Sequence, residues 1–383
     1  MDVPANRFGA PPAVLGEEIV SQIGAYVHIP FCAHRCDYCA FVTTVGKDHL
    51  IDAYVDACVS QLTTERRASP RDASTLYFGG GTPSRLSPAA IERLVEAARL
   101  LPNAEVSMEC NPEDVTPDYL SALVAAGVTR ASFGLQSLQP RVLASLGRVN
   151  PPDALKRIMS SVRDSGLTSW SVDLIYGAAG ERPEDFERTV RAIVEGDTPP
   201  PHLSIYALSV EPGTPLAKHP ERFPNDDLQA DRYLWMTEYL DRAGYVFEEI
   251  SSWAKPGHEC QHHATYWTGG DYLAIGTAAH GHDQGRRYWN TAGVERYIEA
   301  IQAGETPVVG EERLSDEARA FERLALQLRT AHGVPSGAID FAALERLGSP
   351  HQLVDVRGGM ARLTIHGRLL ANAVVQCLVV RDD

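Results

Sequence analysis

Apolar and polar positions alternate between two rhythms over the first 250 residues. Short runs with strand character recur at Ala25–Ile29, Thr75–Phe78, Glu105–Cys110, Arg130–Leu135, Ser169–Ile175 and Leu203–Leu208. Stretches of helical period lie between them. The first is Asp48–Arg66, with Ile51, Tyr54, Val55, Cys58 and Leu62 on one face. Ser87 to about Leu100, Thr116–Gly127, Pro140–Leu146, Pro152–Asp164 and Glu184–Val194 follow. Ser87-Pro88 and Thr116-Pro117 are helix starts, because Pro has no N–H to leave unpaired at the first helical position. Six strand-then-helix units in succession predict parallel strands joined by helical crossovers. They span about 190 residues, short of the roughly 250 typical of an eight-unit barrel. The predicted fold is α/β, a partial (βα)6 TIM-like barrel.

After residue 225 the rhythm changes. Asp226–Ala243 reads as one long helix and Tyr245–Ile250 as a strand, which closes a barrel domain over 22–250. Residues 251–293 are rich in Gly, His and aromatics, show no period, and read as a connecting segment. From 294 to 383 helices dominate, at Ser315–Arg329, Ala338–Leu347 and Ile365–Val375. Strand candidates Leu353–Val356 and Met360–Leu363 flank Arg357-Gly358-Gly359, which predicts a small winged-helix-like module. Residues 1–21, with Pro4, Pro11 and Pro12, read as a flexible tail and lack the basic start and apolar stretch of a secretory signal.

Charge and cysteine usage narrow the function. Among 383 residues, 35 Lys and Arg face 50 Asp and Glu, a net charge of −15. That balance repels phosphate backbones, so no nucleic-acid partner is expected and the C-terminal module reads as a structural or docking element. No apolar run approaches the roughly 18 residues that a membrane span needs. Seven cysteines are an odd number and do not suggest a secreted disulfide framework, so the expected setting is the reducing cytoplasm.

Three of those cysteines lie close together, in Phe31-Cys32-Ala33-His34-Arg35-Cys36-Asp37-Tyr38-Cys39-Ala40-Phe41, directly after the first strand. A C-x3-C-x2-C pattern is rare by chance at this cysteine content. Three thiolates within eight residues suit an iron–sulfur cluster, with one iron left without a protein ligand. A zinc site completed by His34 or His28, and three unrelated thiols, are the competing readings. Other polar landmarks follow the strand ends, where a βα barrel opens onto one face. They are Gly79-Gly80-Gly81-Thr82-Pro83, Glu109, Gln136, Arg148 and Asp173.

The cysteine loop resembles that of the radical S-adenosylmethionine (SAM) superfamily, and the resemblance implies a [4Fe-4S] cluster held by Cys32, Cys36 and Cys39. SAM would then chelate the open iron, with Tyr26, Tyr38, Gly80, Gly81, Thr82, Glu109, Gln136, Arg148 and Asp173 as its expected contacts. Tyr26–Phe41, Phe78–Pro83, Glu109–Pro112, Ser132–Ser137, Asp173–Gly177 and Tyr206–Pro215 are similar to the oxygen-independent coproporphyrinogen III oxidase group. Glu248–Ser251, Ala254–Gly257, Tyr266-Trp267 and Ala279-His280 narrow the resemblance to the HemW-type heme chaperones. The oxidase carries a fourth Cys where this chain has Phe41, and a longer extension before its first strand. Both differences favour the chaperone.

That family carries an H-N-x-x-Y-W motif linked to heme. Here the segment is His262-His263-Ala264-Thr265-Tyr266-Trp267, with His263 in place of Asn. The resemblance implies heme as ligand, His262 or His263 as its contacts, and acceptor hemoproteins as partners. Cys260, His280 and His282 are further candidates. The competing readings are a zinc site from Cys260, His262 and His263, and histidines that simply bond a loop to the barrel. Family members can form dimers, and contact with a membrane would come through a partner.

Overall fold

The computed structural model of the chain describes residues 23–68 and 71–379; the expected tail over 1–21 lies outside them. Six strands carry the barrel: β1 (Ile23–Ile29), β2 (Ala73–Gly80), β3 (Leu100–Cys110), β4 (Arg130–Gln136), β5 (Ser169–Tyr176) and β6 (His202–Ala207). Each is parallel to the next. The crossovers carry α1 (Ile51–Ala68), α2 (Pro88–Ala97), α3 (Pro117–Ala125), α4 (Pro140–Ser145), α5 (Ala154–Arg163) and α6 (Pro183–Val194). Both predicted helix starts hold: the Ser87 and Thr116 side chains accept hydrogen bonds from the backbone N–H of Ala90 and Tyr119. The outward faces of the strands pack under these helices, with Val27, Phe78, Met108, Phe133, Val172 and Leu203 all buried in one core.

β1 and β6 do not pair with each other among the described residues, and the sheet continues past both. After β6 and the long helix α7 (Asp226–Arg242) come β7 (Val246–Glu249) and β8 (Ser252–Ala254), which extend that edge antiparallel. The opposite edge is built from the region that shows no period. It contains α8 (Gln261–Trp267), β9 (Asp271–Ile275), β10 (His280–Asp283) and β11 (Arg286–Asn290). β9 lies parallel to β1, and β10 and β11 run antiparallel beyond it. α9 (Val294–Gln302) and β12 (Val308–Arg313) complete this side, so the order is β12-β11-β10-β9-β1-β2-β3-β4-β5-β6-β8-β7. These pieces are too short for a hydrophobic period to register.

Long-range polar contacts fix β9 in place. Gln61 on α1 donates to the Ala274 carbonyl (3.2 Å) and accepts from the Gly276 N–H (3.1 Å). Tyr54 donates to the His28 carbonyl (2.7 Å) while its oxygen accepts from the Thr277 N–H (2.9 Å). Cys58, on the same helix face, is buried packing, as its helical spacing implies.

The hydrophobic pattern assigns everything after residue 294 to one module. In the structure Val294, Tyr297 and Ile298 of α9 pack in the large core. A second core takes over with α10 (Asp316–Gln327), from Phe321 onward. It gathers Leu328, Leu344, Val354, Ala361 and Val374 beneath a three-stranded antiparallel sheet. The strands are β13 (Val334–Pro335), β14 (Val354–Arg357) and β15 (Met360–Leu363), the last two joined through Gly358-Gly359 as expected for a wing. The predicted helix Ala338–Leu347 is broken into short turns around α11 (Phe341–Leu344), and Ile365–Val375 is interrupted at Leu370.

Candidate functional site

At the C-terminal ends of β1–β6 lies a cavity of about 550 Å³. Its walls carry Cys32, Cys36, Cys39, Tyr38, Gly80, Gly81, Thr82, Glu109, Gln136, Arg148 and Asp173. The topology thus gathers residues from five strand ends, spread over about 140 positions of sequence, onto one volume.

The cysteine loop is clamped from behind. The Asp37 N–H donates to the Leu146 carbonyl (3.0 Å), the Asp37 carbonyl accepts from the Leu216 N–H (2.9 Å), and the Asp37 carboxylate accepts from Arg222 (2.7 Å). Gly147, at φ +65°, lets this happen: a Cβ there would lie 2.6 Å from the Asp37 carboxylate. In front, Thr82 Oγ1 lies 3.5 Å from Cys32 Sγ and Arg148 Nη1 lies 3.8 Å from Cys36 Sγ. Both donors favour negative sulfur. Burial pushes the Cys32 and Cys39 thiols above their ordinary range, so bound metal has to supply the deprotonation.

Three thiols on one short loop are the donor type an iron–sulfur cluster takes. Among the described residues no three His, Cys, Asp or Glu groups converge around one metal position. Separate irons of a cubane accept thiolates at separate corners. His28 is not free to complete a zinc site, because Nδ1 meets the Tyr26 hydroxyl (3.0 Å) and Nε2 the Val42 carbonyl (2.8 Å).

The rest of the mouth divides into backbone and charge. The glycines after β2 serve a close approach. A Cβ at Gly80, which has φ +116°, would lie 2.5 Å from the His28 ring, and one at Gly81 would lie 2.7 Å from the Pro30 backbone. Gln136, at φ +63°, is a non-glycine residue in the left-handed region at the cavity wall, where strain of this kind collects at working sites. Arg148 is buried and donates to Asn111 Oδ1 (2.8 Å) and the Gly134 carbonyl (2.7 Å). Asp173 accepts from Ser132 (2.8 Å) and is pushed up by burial. Glu109 accepts from the Tyr77 hydroxyl (3.0 Å) and the Gly80 N–H (3.1 Å); burial, and then the Asp173 charge, raise it to about 7. A carboxyl poised there gains from a cationic or hydroxyl-bearing ligand.

Tyr26 stands outside the wall. Its ring is stacked on Tyr77 (centroids 6.3 Å apart) and its hydroxyl meets His28. Tyr206, Ser209 and Glu211 line the cavity without having been singled out individually, although Tyr206–Pro215 carries part of the family resemblance.

The histidine segment turns the other way. α8 enters the barrel lumen with its N-terminus capped by the buried Glu105, whose carboxylate accepts from the backbone N–H of Gln261 (3.3 Å) and His262 (3.0 Å). His262 is fully buried, with Nδ1 at 2.7 Å from Thr75 Oγ1 and Nε2 at 2.8 Å from the Tyr266 hydroxyl. Burial pushes its imidazole well below the usual range. His262 is thus placed as a packed histidine with a partner on each ring nitrogen, and the Cys260 thiol meets the Glu105 carboxylate (3.6 Å). His263 is half-buried, with its ring 5.3 Å from Tyr77.

The fold and the cysteine-lined cavity define a class. The family model of the radical SAM superfamily matches residues 26–193. The coproporphyrinogen III oxidase HemN of Escherichia coli, described as a radical SAM enzyme, superposes with a TM-score of 0.81 over 94% of this chain and 90% of its own, at 24% identity. That likeness is one of fold. Closer in sequence are the heme chaperone HemW of Mycobacterium tuberculosis strain H37Rv and that of E. coli K12. The first is 38% identical over 93% of this chain and 94% of the relative, the second 37% identical over 68% and 70%. The chain belongs to the HemW heme chaperone family.

Proposed function

We propose that this protein binds a [4Fe-4S] cluster through Cys32, Cys36 and Cys39, binds SAM in the adjoining cavity, and receives heme for delivery to acceptor hemoproteins. The observation that carries the reading is the joining of one open-sided thiol triad to a polar cavity in a chain whose relatives bear the name heme chaperone. A bound cluster would supply a coordination site for SAM and an electron for its sulfonium. The chain's own groups do the rest. Arg148 offers positive charge beside Cys36, Glu109 and Asp173 offer carboxyl groups, and Gly80, Gly81 and Thr82 offer an unobstructed backbone. No helix among the described residues is long and apolar enough to cross a membrane.

Hemin titration of the anaerobically reconstituted protein, followed at the Soret band with the cluster present and absent, tests the reading. Saturable binding and transfer to an apo-hemoprotein are expected. Conversion of coproporphyrinogen III to protoporphyrinogen IX under reducing conditions with SAM would instead identify an oxidase, an outcome that Phe41, 63% exposed at the cavity wall where that enzyme has a fourth Cys, speaks against.

A further inference from the structure

Asn111 lies just past the end of β3 and lines the cysteine cavity. Its amide stands between two donors that reach the thiols from different elements. On one side, Oδ1 accepts from Arg148 Nη2 (2.8 Å), and Arg148 Nη1 lies 3.8 Å from Cys36 Sγ. On the other, Nδ2 donates to Thr82 Oγ1 (3.5 Å), and the Thr82 hydroxyl donates to Cys32 Sγ (3.5 Å). One arc of hydrogen bonds thus runs from Cys36 to Cys32 through the side chains of Arg148, Asn111 and Thr82.

The direction of each link is fixed by its partners. A guanidinium only donates, so Oδ1 faces Arg148; a carboxylate only accepts, so Nδ2 faces Glu113 (3.0 Å) and Thr82. The backbone holds the amide in place: the Asn111 N–H donates to Ser84 Oγ (3.0 Å), which in turn donates to Asp114 (2.7 Å). With a Thr82 lone pair taken by Nδ2, the single hydroxyl proton is left for Cys32. The two ends of the arc differ in what else secures them. Arg148 also donates to the Gly134 carbonyl (2.7 Å) and to Asn150 Oδ1 (3.2 Å). The Thr82 hydroxyl has no partner besides Cys32 and Asn111 among the described residues. Asn111 therefore bears most strongly on the Cys32 end.

We infer that Asn111 is a positioning residue for the cluster: its amide points the Thr82 proton at Cys32, braces Arg148 beside Cys36, and so raises the cluster's reduction potential. Donors aimed at ligand sulfurs favour the reduced cluster, which carries one more negative charge. The inference rests on the [4Fe-4S] reading of the three thiols. It adds a residue outside the ligand set that governs how readily the cluster takes an electron.

The test is an EPR-monitored redox titration of the anaerobically reconstituted full-length protein, with dithionite as reductant and no SAM. Asn111→Asp keeps an acceptor for Arg148 but draws the Thr82 proton away from Cys32, toward the new carboxylate. The reduction equilibrium should fall by about tenfold, roughly 59 mV for one electron. Thr82→Val should lower it likewise, and Thr82→Ser should leave it near wild type. Asn111→Asp added to Thr82→Val should shift the midpoint far less than it does alone, because the proton it redirects is already gone. An unchanged midpoint in Asn111→Asp would overturn the inference and leave the cluster reading standing. So would a shift of the same size in both backgrounds, which a new charge alone would give. Should Asn111→Asp hold no iron, Asn111→Leu removes the amide without adding charge, and a wild-type midpoint there would overturn the inference equally. No iron bound by wild type would remove the cluster reading itself.

Discussion

The cysteine loop and the α8 histidine segment are both dense in metal-capable side chains, and they fold in opposite senses. Cys32, Cys36 and Cys39 sit on a loop at a cavity wall, backed by Asp37 and faced by Thr82 and Arg148. Cys260 and His262 are drawn into the barrel, where Glu105, Thr75 and Tyr266 use up their bonding capacity. A group acquires coordination chemistry when the fold leaves its lone pair facing open volume. The same group becomes a structural fastener when buried partners claim it, because an unpaired polar atom inside the protein costs more than the bond it makes is worth.

The strongest break of this contrast is replacement of the thiols. Any one of Cys32→Ser, Cys36→Ser or Cys39→Ser is expected to abolish reconstituted iron content and its visible absorbance, whereas Cys260→Ser leaves both intact. Iron retained in the triple variant would end the cluster assignment. Next in size is His262→Ala. It removes a buried ring and orphans the Thr75 and Tyr266 hydroxyls, for a loss of about 3–4 kcal/mol of stability in thermal or denaturant unfolding. Hemin affinity should change less than twofold in the same variant. Lost affinity with unchanged stability would reverse the roles of the two regions.

Gly81→Ala brings a Cβ to 2.7 Å from the Pro30 backbone, which cannot swing aside. A cost of roughly 1–3 kcal/mol is expected, read by unfolding, together with weaker SAM binding. The smallest effect concerns pH. Glu109 is raised from an ordinary 4.5 to about 7 by burial and by Asp173. The folded state therefore holds this proton more tightly than the unfolded state, so this group's contribution to stability falls as pH rises from about 4.5 to about 7. SAM binding runs the other way: it gains from the ionised carboxylate, so affinity should rise several-fold, on the order of one pKa unit's 1.4 kcal/mol, between pH 6 and 8. Glu109→Gln should flatten that profile in isothermal titration, and an unaltered slope would assign the pH dependence elsewhere.

Much of the frame was legible along the chain. All six barrel strands and their helices stand where the two periods put them, and Ser87 and Thr116 cap as their neighbours with Pro predict. Of the expected cavity residues, Cys32 through Asp173 share one wall while Tyr26 does not line it: it faces the lumen from the middle of β1, short of the strand end, where its ring stacks on Tyr77. The edge strands β9 to β12 were not legible. β9 is held by Gln61 and Tyr54, more than 200 residues away, and its five residues carry too little pattern to announce a strand.

Local sequence settles whatever depends on neighbours a few positions apart. The strand-and-helix alternation, the helix caps and the eight-residue thiol spacing all belong here, since propensity, side-chain period and loop geometry act over that range. Folding in three dimensions settles direction. It turned His262 inward, and it brought Glu109, Arg148 and Asp173 to the thiols. Which way a side chain faces, and which partner reaches it first, is fixed by packing between segments far apart in sequence, and no short window of residues contains that information.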